Sequence, residues 1–309
     1  MGNMMQTIRD LEKFSPRQGP NETLTRVYLQ RRLTDLGIDF ETQEFDNLLP
    51  KARSYSLVAD GEKIECMPTA FRSGEIEGKP LISSMDVSGR YYEKPNINFN
   101  PYAELFSLAT FYRAPSLTIR RRDVQKLLNA ETVEGKVKVS KQKHRSANLV
   151  LGNVKNPKSV LICHYDSVLG GALDNGSGTA VLLEIAEMEP KDRMIVFSGC
   201  EEFSFEGPAY WGKGYRELEK GFKRQLQGAR NIIVADMLGS SSPAEVTDPT
   251  LRIACFPVKD PRTFERARMA SVSGKEWLPI YHSRGDTTAL IKPNFLKQGL
   301  DFVLSLSGK

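Results

Sequence analysis

Five acidic or histidine side chains lie at the ends of apolar runs of the chain or a few residues beyond them. In chain order they are His164, Asp166, Glu201, Glu202 and Asp236. If the runs are neighbouring parallel strands, their carboxyl ends meet at one crevice and these side chains converge there. Carboxylates crowded into one crevice repel each other unless a cation compensates them. Zinc accepts a mixed set of nitrogen and oxygen donors, so the pattern predicts a metal site.

Each residue taken alone also fits a structural role. A single histidine after a strand is more often hydrogen-bonded within the fold than bound to a metal. Asp174 and the glycine-rich residues after it would fit a loop that caps a helix, and Glu201 with Glu202 would fit a solvated acidic pair. Asp236 is harder to explain in this way, because it follows a wholly apolar run and must be paired if it is buried. All the structural explanations would have to hold at once, so a metal site is the better interpretation.

Apolar runs and helical periodicities predict the framework that would position these side chains. Short runs rich in Val, Ile and Leu indicate strands buried on both faces of a largely parallel sheet, at residues 160–163, 194–197, 232–235 and 251–255. Apolar residues at helical spacing predict helices at residues 21–36, 178–188, 215–227 and 294–306. Strand, loop and helix alternate from residue 148 onward, which is typical of an α/β fold.

The stretch from residue 48 to residue 143 has a different character. Short alternating segments are broken there by Asp60-Gly61 and by scattered prolines, which indicates β-rich structure. We interpret residues 48–143 as a smaller insertion into a catalytic domain formed by residues 1–47 and 144–309. A chain of 309 residues is long enough for one large α/β domain with such an insertion.

Short motifs in a fixed order identify a family that this chain resembles. They are HYDS at 164–167, DNGSG at 174–178, EE at 201–202, DM at 236–237, and YH at 281–282 followed by DT at 286–287. This order closely resembles the aminopeptidase Y family of co-catalytic zinc peptidases, which also contains aminopeptidase S and the glutamate carboxypeptidases. The resemblance covers residues 19–45 and 148–309. It implies a three-layer α/β sandwich with a mixed, mostly parallel central sheet, and residues 48–143 resemble a protease-associated insertion.

The resemblance also implies a set of metal ligands. His164 and Asp236 would bind one Zn²⁺, Glu202 and His282 would bind a second, and Asp174 would bridge the two. Cobalt or manganese would be the expected substitutes. The same resemblance implies a cis peptide bond between Asp174 and the residue that follows it.

Further residues receive roles from the same comparison of motifs. Glu201 would be the general base for a water whose pKa falls from ~15.7 toward ~7 when it bridges two cations, so that hydroxide attacks the peptide bond. Asp166 would orient the imidazole of His164 from outside the ligand set, and Asp286 would likewise support the site. Tyr281 would donate a hydrogen bond to the tetrahedral oxyanion, although a packed aromatic at a strand end explains it equally well.

The resulting expectation is a metallo-aminopeptidase that acts on peptides with a free amino terminus. A carboxypeptidase or dipeptidase of the same fold is the alternative if Arg262, Arg266 or Arg284 points into the pocket to bind a carboxylate. Glutaminyl cyclases of a related fold do not need a ligand at the position of His164. A non-catalytic binding protein would be expected to have lost ligands or the base, and here every expected position is filled.

Composition excludes several other classes of protein. The 43 basic and 38 acidic residues give a net charge of +5, which is too dilute for a nucleic-acid groove. Residues 1–18 lack an apolar signal-peptide core and no later window is long and apolar enough to cross a bilayer, so we expect a cytoplasmic protein without membrane contact. The four cysteines form no C-x-x-C pair, which argues against a thiolate zinc site. Nothing in the sequence indicates the oligomeric state.

Overall fold

The structure, a computed structural model, describes residues 2–69, 71–86, 88–90, 92–188, 191–206 and 209–308. The helices in these ranges are α1 (Gly2–Glu12), α2 (Pro20–Asp35), α3 (Val124–Asn129), α4 (Gly178–Glu187), α5 (Lys213–Gly221), α6 (Lys223–Gly228), α7 (Pro249–Cys255), α8 (Pro261–Arg266), α9 (Gly274–Trp277) and α10 (Pro293–Leu306). The strands are β1 (Phe40–Ala59), β2 (Glu62–Lys63), β3 (Met67–Pro68), β4 (Gly74–Glu77), β5 (Leu81–Ser83), β6 (Asn96–Phe99), β7 (Ser116–Ile119), β8 (Val133–Gly152), β9 (Ser159–His164), β10 (Arg193–Ser198), β11 (Asn231–Ala235), β12 (Ala244–Glu245) and β13 (Ala267–Ser271).

A mixed central sheet organises the molecule. Its strand order is β12-β13-β11-β9-β10-β8-β1-β2, and β4 pairs with β8. The four strands β13, β11, β9 and β10 run parallel to one another, whereas the outer pairings are antiparallel. The predicted α/β fold with a mixed sheet is therefore confirmed, and its parallel part is the central four-strand block.

Alternating side chains of the parallel strands pack into two apolar layers, one on each face of the sheet. In β9, Leu161 and Cys163 pack against α1, α2, α4 and α10 on one face of the sheet. Val160 and Ile162 pack on the other face, against α5 and α6. Burial on both faces explains why the strand reads as a continuous apolar run. In the described part of the chain, no helix has the length and apolar character that crossing a membrane requires.

The insertion continues the central sheet. β1 and β8 pair antiparallel over their whole length, from Phe40 opposite Leu151 to Ala59 opposite Val133, with a register shift between Ala52 and Ser54. The expected boundaries at residues 48 and 143 fall inside this ribbon. A separate small sheet of order β3-β7-β6-β5 lies beyond it, around a cluster that includes Leu57, Ile97 and Leu117.

Several predicted elements are confirmed and two are wrong. The helices expected at residues 21–36, 178–188 and 294–306 correspond to α2, α4 and α10, and the first three expected strands correspond to β9, β10 and β11. Residues 251–255, predicted as a strand, belong to helix α7, because the Asp248 side chain caps the backbone N–H groups of Thr250 and Leu251. The fourth parallel strand is instead β13. The helix expected at residues 215–227 is split into α5 and α6 at Phe222.

Candidate metal centre

Strand ends and the loops after them carry the predicted ligands. His164 is the last residue of β9, and Asp236 directly follows β11, its parallel neighbour. Glu202 lies in the loop after β10, Asp174 in an irregular helical turn (Ala172–Ser177) before α4, and His282 in the loop after α9. Each of the five side chains is buried. The backbone of His282 has a positive φ of 46°, a conformation that is uncommon for a residue other than glycine.

The five side chains form two groups that share Asp174. In one group, Nε2 of His164 lies 3.2 Å from Oδ1 of Asp174 and 3.5 Å from Oδ1 of Asp236. In the other, Nε2 of His282 lies 3.5 Å from Oδ2 of Asp174 and 2.9 Å from Oε2 of Glu202. Within each group, the donor atoms lie within 4.8 Å of one another. The grouping is the one that the motif resemblance implies, and the Asp174–Asn175 peptide bond is cis, as that resemblance also implies.

The chemistry of these donors fits divalent cations. Among the described residues, Oε1 of Glu202 and Oδ1 of Asp236 are buried without a hydrogen-bond partner, which is costly unless a cation binds them. Burial raises the pKa of Glu202 to about 7, with a further contribution from the charge of Asp174. Burial alone would lower the pKa of His282, but Glu202 and Asp174 raise it to about 10. The rise at His282 therefore reflects the carboxylates that surround its ring.

Both histidines present the nitrogen that a metal needs. Nδ1 of His282 lies 2.8 Å from the carbonyl oxygen of Leu108, and Nδ1 of His164 lies 3.2 Å from the carbonyl oxygen of Asp166. A carbonyl oxygen only accepts, so each Nδ1 carries a proton in these contacts, and Nε2 is the nitrogen that would bind a cation once the ring is neutral. Both Nε2 atoms face the shared Asp174.

Two buried carboxylates outside the ligand set accept hydrogen bonds from backbone N–H groups of the ligand loops. Asp166 accepts the backbone N–H groups of Glu201 and Glu202, each at 3.0 Å. Asp286 accepts the N–H groups of Leu173 at 2.6 Å and of Asp174 at 2.9 Å, and burial raises the pKa of Asp286 to about 7. The Asp166 carboxylate lies 3.6 Å from Nδ1 of His164, beyond hydrogen-bond distance. Its hydrogen bonds therefore fix the Glu201-Glu202 pair, and the imidazole is oriented by the backbone carbonyl of Asp166.

Glu201 stands beside the ligands without belonging to either group. Its side chain lines the same cavity as His164, Asp174, Glu202 and Asp236. No hydrogen bond to its carboxylate comes from the described residues. Burial raises the pKa of Glu201 well above its ordinary value, with His164 opposing the rise and neighbouring carboxylates adding to it. A carboxylate that faces the cavity and holds no metal is placed to exchange protons with a bound molecule.

A segment of the insertion, residues 107–111, packs directly on the Tyr281-His282 loop. Besides accepting from the His282 ring, Leu108 donates its backbone N–H to the carbonyl oxygen of His282 at 3.1 Å. Ser107 donates its hydroxyl to the carbonyl oxygen of Tyr281 at 2.8 Å. The Tyr281 ring is stacked on His282 at 3.7 Å and parallel to Phe111 at 6.5 Å. Tyr281 is therefore both a packed aromatic and a wall of the cavity.

A cavity of about 350 Å³ opens over the metal ligands. Its walls are largely aromatic or aliphatic and come from both parts of the chain. The insertion contributes Met85, Tyr102, Thr110 and Phe111, and the rest of the chain contributes residues that include Trp211, Val246, Leu251, Trp277, Leu278 and Tyr281. The cavity is large enough for one bulky side chain and the adjoining peptide bond.

The arginines predicted as carboxylate anchors lie elsewhere. Arg266 donates to the backbone carbonyls of Leu226 and Ala229. Arg262 is exposed on α8, and Arg284 is exposed and lines a different cavity. Of the described residues that line the metal cavity, none is an arginine or a lysine.

Two contributors to the site were not predicted. The carbonyl oxygen of Leu108 has no side-chain signature, so no sequence pattern would reveal it. Arg17 is completely buried and donates to the carbonyl oxygens of Tyr165 and Gly171. Its only sequence signal is a charged residue between two helices, which ordinarily indicates a solvated position.

Comparisons with known proteins agree with this geometry. Residues 149–253 match the family model Peptidase family M28, and this segment contains all the candidate ligands except His282. Aminopeptidase YwaD of Bacillus subtilis (strain 168) is 30% identical over 140 residues, which are 41% of this chain. The match spans only 29% of the length of that relative.

Solved structures share the fold over nearly the whole chain. A zinc aminopeptidase from Bacillus subtilis, BSAP, superimposes with a TM-score of 0.68 at 18% identity, covering 99% of this chain and 93% of that one. An aminopeptidase from Aneurinibacillus sp. strain AM-1 gives 0.66 at 18% identity, covering 99% and 92%. The predicted resemblance to co-catalytic zinc peptidases is thereby confirmed, in that residues 149–253 match Peptidase family M28 and the whole chain has the fold of solved zinc aminopeptidases.

Proposed function

We propose that this chain is a metallo-aminopeptidase that binds two zinc ions and hydrolyses the N-terminal peptide bond of peptides. The observation that carries the proposal is the pair of buried donor groups that share Asp174, with the unligated Glu201 beside them. The match of residues 149–253 to Peptidase family M28 and the similarity to an aminopeptidase of Bacillus subtilis support it. The cytoplasmic location expected from the sequence stays a prediction.

The residues of the chain divide the work of hydrolysis. Zinc, when bound by the two groups, supplies Lewis acidity, which polarises the scissile carbonyl and makes water a stronger acid. Glu201 accepts a proton from the attacking water and returns it to the leaving amine, since its carboxylate faces the cavity. Tyr281 lines the same cavity, and its hydroxyl donates a hydrogen bond to the developing oxyanion. Asp166 holds Glu201 and Glu202 in register, so that one serves as base while its neighbour serves as ligand.

The charge of the cavity favours the amino end of a peptide over the carboxyl end. Carboxylates and histidines supply its charged groups, and the described lining has no arginine or lysine to bind a terminal carboxylate. A carboxypeptidase would need such a cation. A non-catalytic binding protein of this fold would have no use for a complete ligand set with an unligated glutamate beside it. The aminopeptidase is therefore the function that the site supports best.

A pair of blocked substrates tests this assignment. We expect a leucyl peptide with a free amino terminus to be cleaved, and its N-acetylated form to lose about 10²-fold or more in kcat/KM, because the blocked nitrogen leaves its polar partners unpaired. Amidation of the carboxyl terminus should have little effect. The measurement is kcat/KM for all three peptides. A large loss on amidation with little loss on acetylation would assign the site to a carboxypeptidase.

The apolar walls predict the side chain that the enzyme accepts at the first residue of the substrate. Phe111, Trp211 and Trp277 line the cavity, so burial of a large apolar side chain is favourable. We expect leucyl or phenylalanyl peptides to exceed glycyl peptides by about 10²-fold in kcat/KM. Replacement of Trp211 by Ala should reduce this ratio mainly through KM. A preference for acidic or basic first residues would contradict this description of the pocket.

A further inference from the structure

Arg17 is among the largest fully buried side chains of the described chain. It lies in the short connection between α1 and α2. Its side chain is 0% exposed, which is rare for an arginine unless its charge and donors are satisfied. The proposed reaction gives this residue no part, since it does not line the cavity.

The guanidinium joins the chain segments beside two ligands of the first group, His164 and Asp174. Nε donates to the carbonyl oxygen of Tyr165 at 2.6 Å, and a terminal nitrogen donates to the carbonyl oxygen of Gly171 at 2.9 Å. Tyr165 directly follows the ligand His164, and Gly171 precedes the ligand Asp174 by three residues. The planar guanidinium, with its donors in a fixed geometry, therefore sets the distance between these two stretches of backbone.

The neighbourhood leaves little freedom for this contact. A Cβ added to Gly171 would lie 2.9 Å from a terminal nitrogen of Arg17 and 2.4 Å from Cβ of Ser167, and the φ of Gly171 is +121°. The backbone N–H of Arg17 donates to the Ser167 hydroxyl at 3.2 Å. Gln18, the next residue, donates to the Asp166 carboxylate at 3.1 Å. Through Asp166, the connection between α1 and α2 also reaches the loop of the two glutamates.

The charge of Arg17 matches its surroundings. Burial lowers the pKa of the guanidinium, and the nearby charges of Asp286, Asp166, Asp174 and Glu202 oppose that fall. The cation thus lies among carboxylates without forming a direct ion pair with any of them in the described contacts. It compensates negative charge while leaving the ligand oxygens free.

From these contacts we propose that Arg17 is a positioning residue that holds His164 and Asp174 at the separation required by a shared metal site. This inference rests on the proposed function only in that the two donor groups bind zinc. A residue outside the ligand set that orients ligands typically contributes 10- to 100-fold to metal affinity. A residue that merely stabilises the fold would change the unfolding temperature without changing the zinc affinity of the folded protein.

The test measures zinc affinity and thermal unfolding of the full chain with two substitutions. Arg17→Met keeps an unbranched stem and removes the donors and the charge, and Arg17→Lys keeps the charge without the planar guanidinium. We expect competition with a chromophoric chelator to show affinity about 10-fold or more weaker for Arg17→Met, with Arg17→Lys in between. The rise in unfolding temperature on adding zinc should shrink in the same order.

Arg266→Met is the matched control. The Arg266 guanidinium also donates to backbone carbonyls, those of Arg262, Ala229 and Leu226 at 3.1, 2.6 and 2.8 Å, but it does so between α6 and α8. We expect this variant to unfold at a lower temperature while it binds zinc as tightly as the parent chain.

The outcomes separate this inference from the proposed function. Wild-type zinc affinity in folded Arg17→Met, or in folded Arg17→Lys if the first variant does not fold, overturns the role of Arg17. A parent chain that binds two zinc ions but cleaves no peptide overturns the proposed reaction and leaves the affinity test of Arg17 intact. A parent chain that binds no zinc overturns both.

Discussion

Glu201→Gln is expected to reduce kcat by about 10²-fold or more while both zinc ions remain bound, which corresponds to about 2.7 kcal/mol in the activation barrier. The amide keeps the shape of the side chain and removes the basic oxygen. Folding should hardly change, because the contact that holds this position is the backbone N–H of Glu201 on Asp166, which the substitution preserves. The two quantities to measure are the number of zinc ions per chain and kcat, for the variant and the parent chain.

Glu202→Gln is the matched variant at the neighbouring position. It replaces a charged ligand with a weak neutral one, so zinc affinity of the group that contains His282 should fall and activity should depend on added metal. Metal content and rate then decline together. If Glu201→Gln loses metal while Glu202→Gln keeps two ions and is only slower, the two roles are reversed.

Metal removal is expected to abolish peptidase activity altogether. A strong chelator should remove both ions, because all five candidate ligands border one cavity, and added zinc or cobalt should restore the rate. The unfolding temperature should fall with the metal and recover with it, since a ligand that binds only the native state stabilises it.

The control for chelation is the same chelator saturated with zinc beforehand, which should leave activity unchanged. Elemental analysis of the treated protein verifies the removal. Full activity in a sample shown to be free of metal would refute the assignment of the ligands.

The parts of the molecule that could be predicted are those where a local signal coincides with the global fold. Strands β9, β10 and β11 are buried on both faces, so each reads as an apolar run, and the parallel order places His164 and Asp236 at one edge of the sheet. Helix α10 carries apolar residues at helical spacing on its buried face. These elements could be predicted because their local sequence pattern agrees with their burial in the folded chain.

Errors arose where two local signals competed. Residues 251–255 have the composition of a strand, yet Asp248 and Pro249 form an N-cap and first turn that start a helix. Strand β13 contains Arg268, whose side chain pairs with Glu245 of the edge strand β12, so it has no uninterrupted apolar run. At residues 251–255, the N-cap determined the structure in spite of the strand-like composition. At β13, the charged residue that pairs with the edge strand interrupted the apolar run, so the strand was not predicted.

Tertiary contacts account for what no pattern could predict. The burial of Arg17 depends on carbonyl groups at residues 165 and 171, far from it in sequence. Likewise, only the folded chain brings Leu108 to His282, 174 positions away.

The pair of hydrogen bonds between Leu108 and His282 bears on how such chains can be recombined. An accessory region that only covers a crevice can be exchanged between homologues or trimmed in protein engineering. Here residue 108 carries the acceptor that favours one tautomer of the candidate ligand His282, so residues 107–111 belong to the candidate metal centre although they lie within the insertion. A chimera that replaces the insertion must therefore preserve the backbone contact of residue 108 with His282, even if the surrounding side chains are changed.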